Sequence, residues 1–224
     1  MRQSGIVLIG SGPSLRSVDP RRFAQMDTIA FNRSWLAWSD WGYAPRYHAV
    51  LDPATMAVIG PELPDVVAKY PQTHSYLHRT AARFGLTNGR GATLCELVEG
   101  DRFSGTVSPL TDYGNVGAIS RQLLHALGYG KVLLVGVDGD YRPEEAVDTD
   151  HNHFRDDYAR GRVPITASLR QRYTVGWPLA AAECKRLGLE LRNASPGTAL
   201  TCIDRTGLEE GLEWLQAPAV APTH

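Results

Sequence analysis

The first residues suited to chemistry form a glycine-punctuated turn near the start of the chain. Residues 6–9 are an apolar run typical of a strand buried on both faces of a parallel sheet. Gly10 and Gly12 then allow the backbone to approach a ligand closely, and Pro13 suits the first position of a helix. With the hydroxyl of Ser11 beside a helix N-terminus, the turn is suited to holding a phosphate. A tight turn that binds nothing is the alternative.

The turn differs from two standard nucleotide-binding patterns. Gly10 and Gly12 supply the spacing Gly-x-Gly, but the third glycine of the dinucleotide fingerprint is missing. The chain also contains no P-loop sequence. A nicotinamide cofactor is therefore not expected, whereas a nucleotide held by its phosphate remains open.

Polar residues also follow three further predicted strands. They are Asn32, Asp52 and Asp138, with Asp140 and Tyr141 close behind Asp138. Each has a structural explanation when taken singly, because Asn and Asp cap helices and form turns. Ligands of open α/β sheets bind outside the carboxyl ends of the strands, so the polar strand ends together predict one shared pocket.

Residues 148–158 form a second dense group, with two histidines, four aspartates, one arginine and one tyrosine in eleven positions. Histidine is the natural general acid or base near neutral pH, which makes His153 and His151 candidates for proton transfer. Tyr158 and Tyr141 could donate hydrogen bonds to a leaving phosphate. A solvated acidic loop is the alternative.

The aspartates also permit a metal hypothesis. Asp138, Asp140 and Asp52 could bind Mg²⁺ through one or two carboxylates and the oxygens of a phosphate. Zinc is not expected at His151 and His153, because their spacing does not match a helical pair and no cysteine is near. A serine hydrolase is not expected either, since Gly-x-Ser-x-Gly is absent.

Alternating strand-like and helix-like segments predict the fold that positions these residues. Residues 115–127 carry an apolar stripe that ends at Gly128, and a strand follows. This alternation is typical of an open, mostly parallel, Rossmann-like α/β sheet with helices on both faces and a polar lid-like loop. The predicted elements are helices over residues 115–127 and 179–187 and strands over residues 6–9, Thr28–Phe31, 47–51, 132–137 and 189–193, of which the first, second and fourth are central neighbours.

Composition predicts one globular domain over residues 1–216, with a lid-like insertion near residues 148–172 and a disordered tail at residues 217–224. The formal charge of −1 argues against nonspecific binding of nucleic acid. Three scattered cysteines without a C-x-x-C pair predict no disulfide framework. The early first strand leaves no room for a signal peptide, and no apolar run has membrane-spanning length, so we expect a cytoplasmic protein without a transmembrane segment.

The sequence leaves two further points open. The first is whether the chain forms a homo-oligomer. The other is the role of Trp35, Trp38 and Trp41, which could stack on a sugar or base, although a buried apolar edge or a subunit contact is favoured.

Five motifs occur in an order that marks a known group of proteins. They are GSGPSL, FNRS, NVGAISRQLLHALGYGKVLLVGVDGDY, HNHF and NASPGTAL. In this order they resemble the bacterial lipooligosaccharide sialyltransferases and the related MAF-type flagellin-glycosylation proteins. An archaeal hydroxymethylpterin diphosphokinase belongs to the same broad superfamily. The resemblance extends over roughly residues 5–203, and residues 52–113 do not align.

The resemblance implies residue roles. His153, with His151 second, matches the catalytic histidine of the sialyltransferases, and Tyr141 and Tyr158 match tyrosines that assist the departing phosphate. Two departures are Ser11 and Asp52, each of which replaces an asparagine of the sialyltransferases, and a third is Asn115-Val116-Gly117, where they read Thr-Ser-Gly. The residues expected to bind the donor nucleotide are Gly10, Ser11, Gly12, Pro13, Asn32, Asp52, Asn115, Gly117, Asp138, Ser195, Pro196, Gly197 and Thr198.

Three functions follow from these expectations. The first is an inverting glycosyltransferase that moves a CMP-activated nonulosonic acid to a glycan hydroxyl and requires no cofactor. The second is a Mg²⁺-dependent diphosphokinase with Asp138, Asp140 and Asp52 as metal ligands, which the acidic DGDY sequence favours. The third is a noncatalytic module that binds a nucleotide sugar. Fold-level resemblance alone does not decide among them.

Overall fold

Parallel strands form the central sheet of the protein, in a computed structural model that describes residues 3–89, 91–141, 150–158 and 167–218. The strands of these ranges are β1 (Gln3–Ile9), β2 (Thr28–Phe31), β3 (Tyr47–Val50), β4 (His74–His78), β5 (Ala92–Cys95), β6 (Leu97–Val98), β7 (Leu110–Thr111), β8 (Tyr129–Val135), β9 (Glu190–Asn193) and β10 (Asp204–Arg205). Eight of them pair in the order β10-β9-β8-β1-β2-β3-β4-β5, and β6 pairs with β7. The pairing is parallel throughout the larger sheet.

Six α-helices accompany the strands in the described part of the chain. They are α1 (Trp38–Trp41), α2 (Pro53–Ile59), α3 (Leu63–Lys69), α4 (Val116–Ala126), α5 (Ala167–Leu187) and α6 (Leu208–Gln216). Short 3₁₀ helices cover Pro13–Ser17, Pro20–Phe23, Asn32–Ala37, Gly60–Glu62 and Arg79–Phe84. None of these described helices combines the length and apolar character that crossing a bilayer requires.

Apolar side chains of β1 alternate between two cores, one on each face of the sheet. Ile6 and Leu8 join a core with α4 and α5, whereas Val7 and Ile9 join a core with α2, α3 and α6. These four side chains are at most 1% exposed. Such complete burial explains the uninterrupted apolar run of this strand. The predicted parallel α/β sheet with helices on both faces is thus confirmed.

The order of the strands reverses beside β1. From β1 the chain adds β2 to β5 on one side, and it later returns to place β8, β9 and β10 on the other. Val7 pairs with Thr28 of β2 and with Leu133 of β8, so the three strands predicted to be central neighbours are neighbours. A reversal of this kind leaves a crevice outside the carboxyl ends of the two adjacent strands, where ligands bind in open α/β sheets.

The structure describes two parts of the predicted lid-like insertion near residues 148–172, residues 150–158 and the residues from Ala167 onward. α5 begins at Ala167, ahead of the predicted start at residue 179, so the end of the insertion is helical. Four polar side chains of the first part are buried, namely Asp150, Asn152, His153 and Tyr158. The solvated-loop alternative thus does not describe these four residues, whereas His151 and Asp156 of the same part are exposed. The remaining residues of the insertion and those after Pro218 lie outside the described residues.

A buried histidine connects the sheet to the end of β2. His48 on β3 is 0% exposed, and the rings of Trp35 and Trp38 meet it edge-on with centroids 5.5 and 5.4 Å away. Its Nε2 lies 2.7 Å from the carbonyl oxygen of Asn32. Because a carbonyl only accepts, Nε2 carries the hydrogen and donates it. Trp35 and Trp38 therefore pack against a neutral imidazole, because burial lowers the pKa of His48 to about 4.

Acidification should destabilise the protein through His48. The pKa of an unfolded histidine is near 6.5 and that of folded His48 is about 4, so the unfolded state binds one more proton between these values. Stability that is complete above this window is lost as the pH falls through it. We expect the free energy of unfolding, measured by urea titration, to fall by about 1.4 kcal/mol per pH unit within the window.

The variant His48→Gln serves as the control for this pH dependence. Glutamine keeps a donor for the carbonyl of Asn32 but does not titrate. The pH slope of its unfolding free energy should be smaller than that of the wild type by the same amount. Equal slopes would show that a different group titrates.

Candidate functional site

Two backbone turns meet in the crevice beside β1. The N–H of Gly10 donates to the carbonyl of Val135 at 2.7 Å. The N–H of Gly12 donates to the carbonyl of Gly136 at 2.8 Å, which extends the pairing of β1 and β8 past the strand ends. A Cβ atom on Gly10 would overlap the carbonyl of Gly136. These glycines are needed for the close approach of the two turns.

The carboxylate of Asp138 lies at the start of the 3₁₀ helix Pro13–Ser17. It accepts hydrogen bonds from the backbone N–H of Ser14, at 2.9 Å, and from the Ser14 hydroxyl. A Cβ atom on Gly12 would lie 2.5 Å from Asp138 Oδ2. The space beside Gly12 is thus filled by a carboxylate of the protein, and a phosphate at the same point would be repelled by it. Nucleotide binding by this turn stays a prediction.

Asn32 has an unusual backbone conformation at the carboxyl end of β2. Its φ of 48° is the one positive value for a non-glycine residue within the described ranges. The donated hydrogen bond from His48 holds its carbonyl in place. Its side-chain Oδ1 and the hydroxyl of Ser34 are buried without a hydrogen-bond partner. Strained residues and unsatisfied polar atoms concentrate at functional sites, so this strand end fits the predicted pocket.

His153 forms a hydrogen-bonded pair with a carboxylate. Its Nδ1 lies 2.7 and 2.9 Å from the two carboxylate oxygens of Asp150, and both residues are 8% exposed. A carboxylate accepts, so Nδ1 donates and Nε2 keeps the lone pair that a general base needs. The ring stacks on Tyr158 with centroids 4.5 Å apart and an interplanar angle of 22°. Carboxylate and stacking together fix the tautomer and the orientation of the ring.

The segment that carries His153 is attached to the ends of β1 and β2. The N–H of Phe154 donates to the carbonyl of Ser11 at 2.9 Å, and the hydroxyl of Tyr158 donates to the carbonyl of Phe31 at 2.9 Å. Arg16 donates to the carbonyls of Phe154 and His153 at 2.9 and 3.2 Å. The candidate base is thereby brought to the same edge of the sheet as the glycine turn.

Sequence reasoning did not identify two participants in this arrangement, Arg16 and Asp150. Asp150 stands three residues before His153, a spacing that a search for carboxylate–histidine pairs would have found. Arg16 carries no local signal, because its partners lie 137 and 138 positions later in the chain.

The two candidate tyrosines differ in what their hydroxyls do. Tyr158 is fully buried and gives its only hydroxyl hydrogen to the carbonyl of Phe31. It could assist a leaving phosphate only if that bond broke. The hydroxyl of Tyr141 instead accepts from Trp177 Nε1 at 3.5 Å. His151 is exposed.

The C-terminal motif supports the loop after β8. The hydroxyl of Ser195 accepts from the N–H of Val137 at 2.8 Å, and the hydroxyl of Thr198 donates to the carbonyls of Val137 and Asp138 at 3.0 and 3.1 Å. Pro196 and Gly197 are exposed. The hydroxyls expected to contact a nucleotide thus hold the protein backbone, and a nucleotide contact by this motif stays a prediction.

Two residues that are predicted to contact the donor nucleotide, Asn115 and Gly117, lie at the start of α4. Asn115 caps this helix, because its Oδ1 accepts from the N–H of Ala118 at 2.8 Å. A Cβ atom on Gly117 would lie 2.8 Å from the ring of Trp177. Gly117 is therefore required for the packing of α4 against α5. No open space lies beside its Cα for the donor nucleotide that it is predicted to contact.

The carboxylates of the metal hypothesis do not come together. Asp52 caps α2 by accepting from the N–H of Thr55 at 2.7 Å, Asp138 caps the helix that contains Ser14, and Asp140 is exposed. In the described part of the chain no three His, Cys, Asp or Glu side chains form a possible metal site. Asp138 and Asp52 thus each hold the start of a different helix, and metal binding by Asp138, Asp140 and Asp52 stays a prediction of the diphosphokinase alternative.

Replacing Gly12 with alanine should destabilise the protein, because the new Cβ atom would lie 2.5 Å from Asp138 Oδ2 and 2.9 Å from the carbonyl oxygen of Gly136. Gly207→Ala is a matched control. Gly207 also precedes a helix with φ −68° and ψ 156°, against −69° and 161° at Gly12, and nothing lies within 4 Å of its Cβ position. By urea unfolding we expect Gly12→Ala to cost about 1–3 kcal/mol more than the control. Equal costs would contradict the role of Asp138.

Comparison with known proteins gives matches at the level of structure. No family model and no curated protein sequence matches the chain. The sialyltransferase CstII from Campylobacter jejuni, solved in complex with a substrate analogue, cytidine-5'-monophosphate, superposes with a TM-score of 0.52 and 13% identity. The match covers 90% of this chain and 84% of that chain.

A second solved structure extends the comparison. The MAf glycosyltransferase from Magnetospirillum magneticum AMB-1 superposes with a TM-score of 0.58 and 16% identity over 96% of this chain. The match covers 37% of that chain, so the present chain spans little more than a third of the length of the MAf protein. The resemblance expected from the sequence motifs is confirmed for the architecture: this chain has the α/β fold of the CstII sialyltransferase and the MAf glycosyltransferase.

Proposed function

We propose that the protein is a glycosyltransferase that moves a sugar from a nucleotide donor to a glycan hydroxyl. The fold shared with two glycosyltransferase structures supports the reaction class. The cytidine-5'-monophosphate in the CstII structure supports a CMP-activated donor, of the nonulosonic acid type. The single observation that carries the proposal is the buried pair of His153 and Asp150, held at the strand ends where such a donor would bind.

We propose direct transfer with inversion, in which His153 serves as the single general base. Nε2 of His153 takes the proton of the acceptor hydroxyl while that oxygen attacks the anomeric carbon of the sugar. The bond between this carbon and the phosphate oxygen breaks, and CMP leaves with the electron pair. Asp150 stabilises the imidazolium that forms at His153, and the proton then passes to solvent. The hydroxyl of Tyr141 donates to the leaving phosphate.

A monophosphate leaving group carries less charge than a diphosphate, so hydroxyl and amide donors can stabilise its departure. The Oδ1 of Asn32 at the end of β2 has no partner in the protein, and as an acceptor it can receive a hydrogen bond from an N–H or O–H group of the nucleotide. A diphosphokinase would instead need Mg²⁺ between phosphate oxygens, and two of its expected carboxylates, Asp138 and Asp52, accept hydrogen bonds at the starts of separate helices.

Replacing His153 with alanine should lower the turnover number roughly 10²–10⁴-fold, the usual contribution of a positioned general base. Donor affinity should stay close to that of the wild type, because the ring acts on the acceptor. The measurement is CMP release from CMP-N-acetylneuraminic acid with a glycan acceptor. The matched control is His74→Ala, since His74 begins β4 at the opposite edge of the sheet. Full turnover by His153→Ala would remove this histidine from the mechanism.

Metal removal separates the two enzyme hypotheses. Under the transferase proposal, EDTA leaves turnover unchanged, whereas the diphosphokinase alternative requires that EDTA abolish activity.

A thermal-shift series with CMP, CDP, ATP and GTP, each with Mg²⁺ or EDTA, identifies the nucleotide, because a ligand of the folded state raises its melting temperature. A shift by ATP with Mg²⁺ alone would overturn the transferase proposal.

Asp150→Asn tests the pairing of base and carboxylate. The amide can still fill the same space, but it no longer favours the protonated imidazole. We expect turnover to fall about 10–100-fold, with the acid limb of the rate–pH profile moved to lower pH. A fall in rate without a shift of the profile would mean that Asp150 only maintains the fold of its segment.

A further inference from the structure

Helix α5 carries an exposed apolar stripe between its two ends. Three large apolar side chains are exposed in the described ranges, and two of them, Val175 at 52% and Leu179 at 50%, lie on this helix. Exposed Pro178 and Ala182 continue the stripe. Positions spaced by three, four and seven residues share one face of a helix. Exposed apolar side chains that are grouped in this way, unlike single ones, mark an interaction surface.

The opposite face of α5 packs into the core in the same turns of the helix. Trp177 and Ala180 are at most 2% exposed and belong to the core that α5 shares with α4. The middle of the helix is therefore apolar on both faces. A helix that is apolar all round is normally buried, so we expect a partner to cover the outer face of α5.

The two ends of the stripe are basic. Arg170 and Arg172 precede it, and both are exposed. Lys185 and Arg186 follow it and are exposed as well. The one acidic residue in the sequence of α5, Glu183, is 5% exposed. The surface of α5 is thus cationic, although the whole chain has a formal charge of −1.

Two of these four cations take part in ion pairs. Arg172 contacts the carboxylate of Asp112 at 2.6 Å. Arg186 shares the carboxylate of Glu183 with Arg102, each at 2.9 Å. One carboxylate thus faces two guanidinium groups, and this end of α5 keeps a positive charge.

The other two cations, Arg170 and Lys185, lie near opposite ends of α5. Neither forms an ion pair with a residue that the structure describes. They are roughly 22 Å apart along the axis, at the rise of an α-helix. This arrangement matches an anionic lipid surface, because apolar side chains can enter the interface while Lys and Arg reach the lipid phosphates on either side.

We infer that α5 binds the surface of an anionic lipid membrane, with the helix axis in the plane of that surface. A second copy of the chain fits less well, because two α5 helices packed through this stripe would bring cations at the ends of one helix close to those of the other. A nucleic acid would engage the cations but would leave Val175 and Leu179 exposed. Membrane binding of this kind would be the same whichever reaction the protein catalyses.

Sedimentation of the purified chain with lipid vesicles tests this inference. The vesicles consist of phosphatidylcholine alone or of phosphatidylcholine mixed with the anionic lipid phosphatidylglycerol. We expect the chain to bind the anionic vesicles, and to bind them more weakly as the salt concentration rises, because ions screen the attraction. Vesicles of phosphatidylcholine alone should bind it roughly 10–100-fold more weakly.

Two variants of α5 separate the contributions of charge and apolar contact. Lys185→Glu should weaken binding to the anionic vesicles roughly 10–30-fold, because it replaces an attracted charge with a repelled one. The matched control is Lys69→Glu, since Lys69 is also an exposed lysine in the last turn of a helix, α3, on the other face of the sheet. This control should bind as the wild type does.

The second variant combines Val175→Thr with Leu179→Gln, which keeps the side chains similar in size. It should weaken binding roughly 5–10-fold, because less apolar surface enters the interface. Circular dichroism checks that each variant is folded, and substitutions at such exposed positions should change stability little.

Four results would overturn the inference. One is a wild-type chain that stays in solution with both kinds of vesicle. Another is equal weakening by Lys185→Glu and Lys69→Glu, which would assign the binding to overall charge. The third is full binding by the double variant, which would give the stripe no part in it. The last is a wild-type dimer, seen by analytical ultracentrifugation, that the double variant dissociates, because the stripe would then be a subunit contact.

Discussion

The close packing of two strand-end turns is the constraint on which the rest of the site depends. The turn after β1 and the turn after β8 share a backbone hydrogen bond between Gly12 and Gly136, and the carboxylate of Asp138 joins them through Ser14. No side chain fits between the two turns. The segment of His153 is then attached to this unit through the carbonyl of Ser11, so its position follows from theirs.

The two buried charged groups near this crevice, the carboxylate of Asp150 and the guanidinium of Arg121, have different kinds of partner. The buried carboxylate of Asp150 accepts a hydrogen bond from Nδ1 of His153, which forms a buried carboxylate–imidazole pair. The buried guanidinium of Arg121 faces the ring of Trp177, and its Nε lies 3.5 Å from the carbonyl oxygen of Gly117. It lies between α4 and α5, whose apolar side chains belong to one core.

Local sequence patterns predict the central strands and helix α4. They do not predict elements whose conformation depends on tertiary packing. β2 and α4 were found within a residue at each end, because a short apolar run and a capped amphipathic helix are local signals. β4 reads HSYLH and is not apolar enough to stand out. The first half of α5 was missed since Gly176 and Pro178 interrupt its pattern, yet Gly176 is needed where the helix touches the carbonyl of Tyr113.

The residues of the candidate site divide in the same way, into those that a local motif predicts and those that depend on contacts between distant segments. The glycine turn, Asn32 and His153 can be predicted as candidates from residue types alone, because their motifs are short. The filling of that turn by Asp138 was not predictable, since the two segments lie 124 positions apart in the chain. Pairings over such distances depend on the topology of the sheet, which a single sequence does not encode as a local signal.

The hydrogen bond from Arg16 to the carbonyl of His153 spans 137 positions of the chain, and β1 likewise pairs with the distant β8. During synthesis from the N-terminus, β2 to β5 can assemble while one edge of β1 still lacks its neighbour. Contacts between such distant segments form slowly, and an unpaired apolar strand edge associates readily with other chains. The newly made polypeptide is therefore most prone to aggregate in the interval before β8 emerges, and β1 is the strand that a chaperone would have to shield.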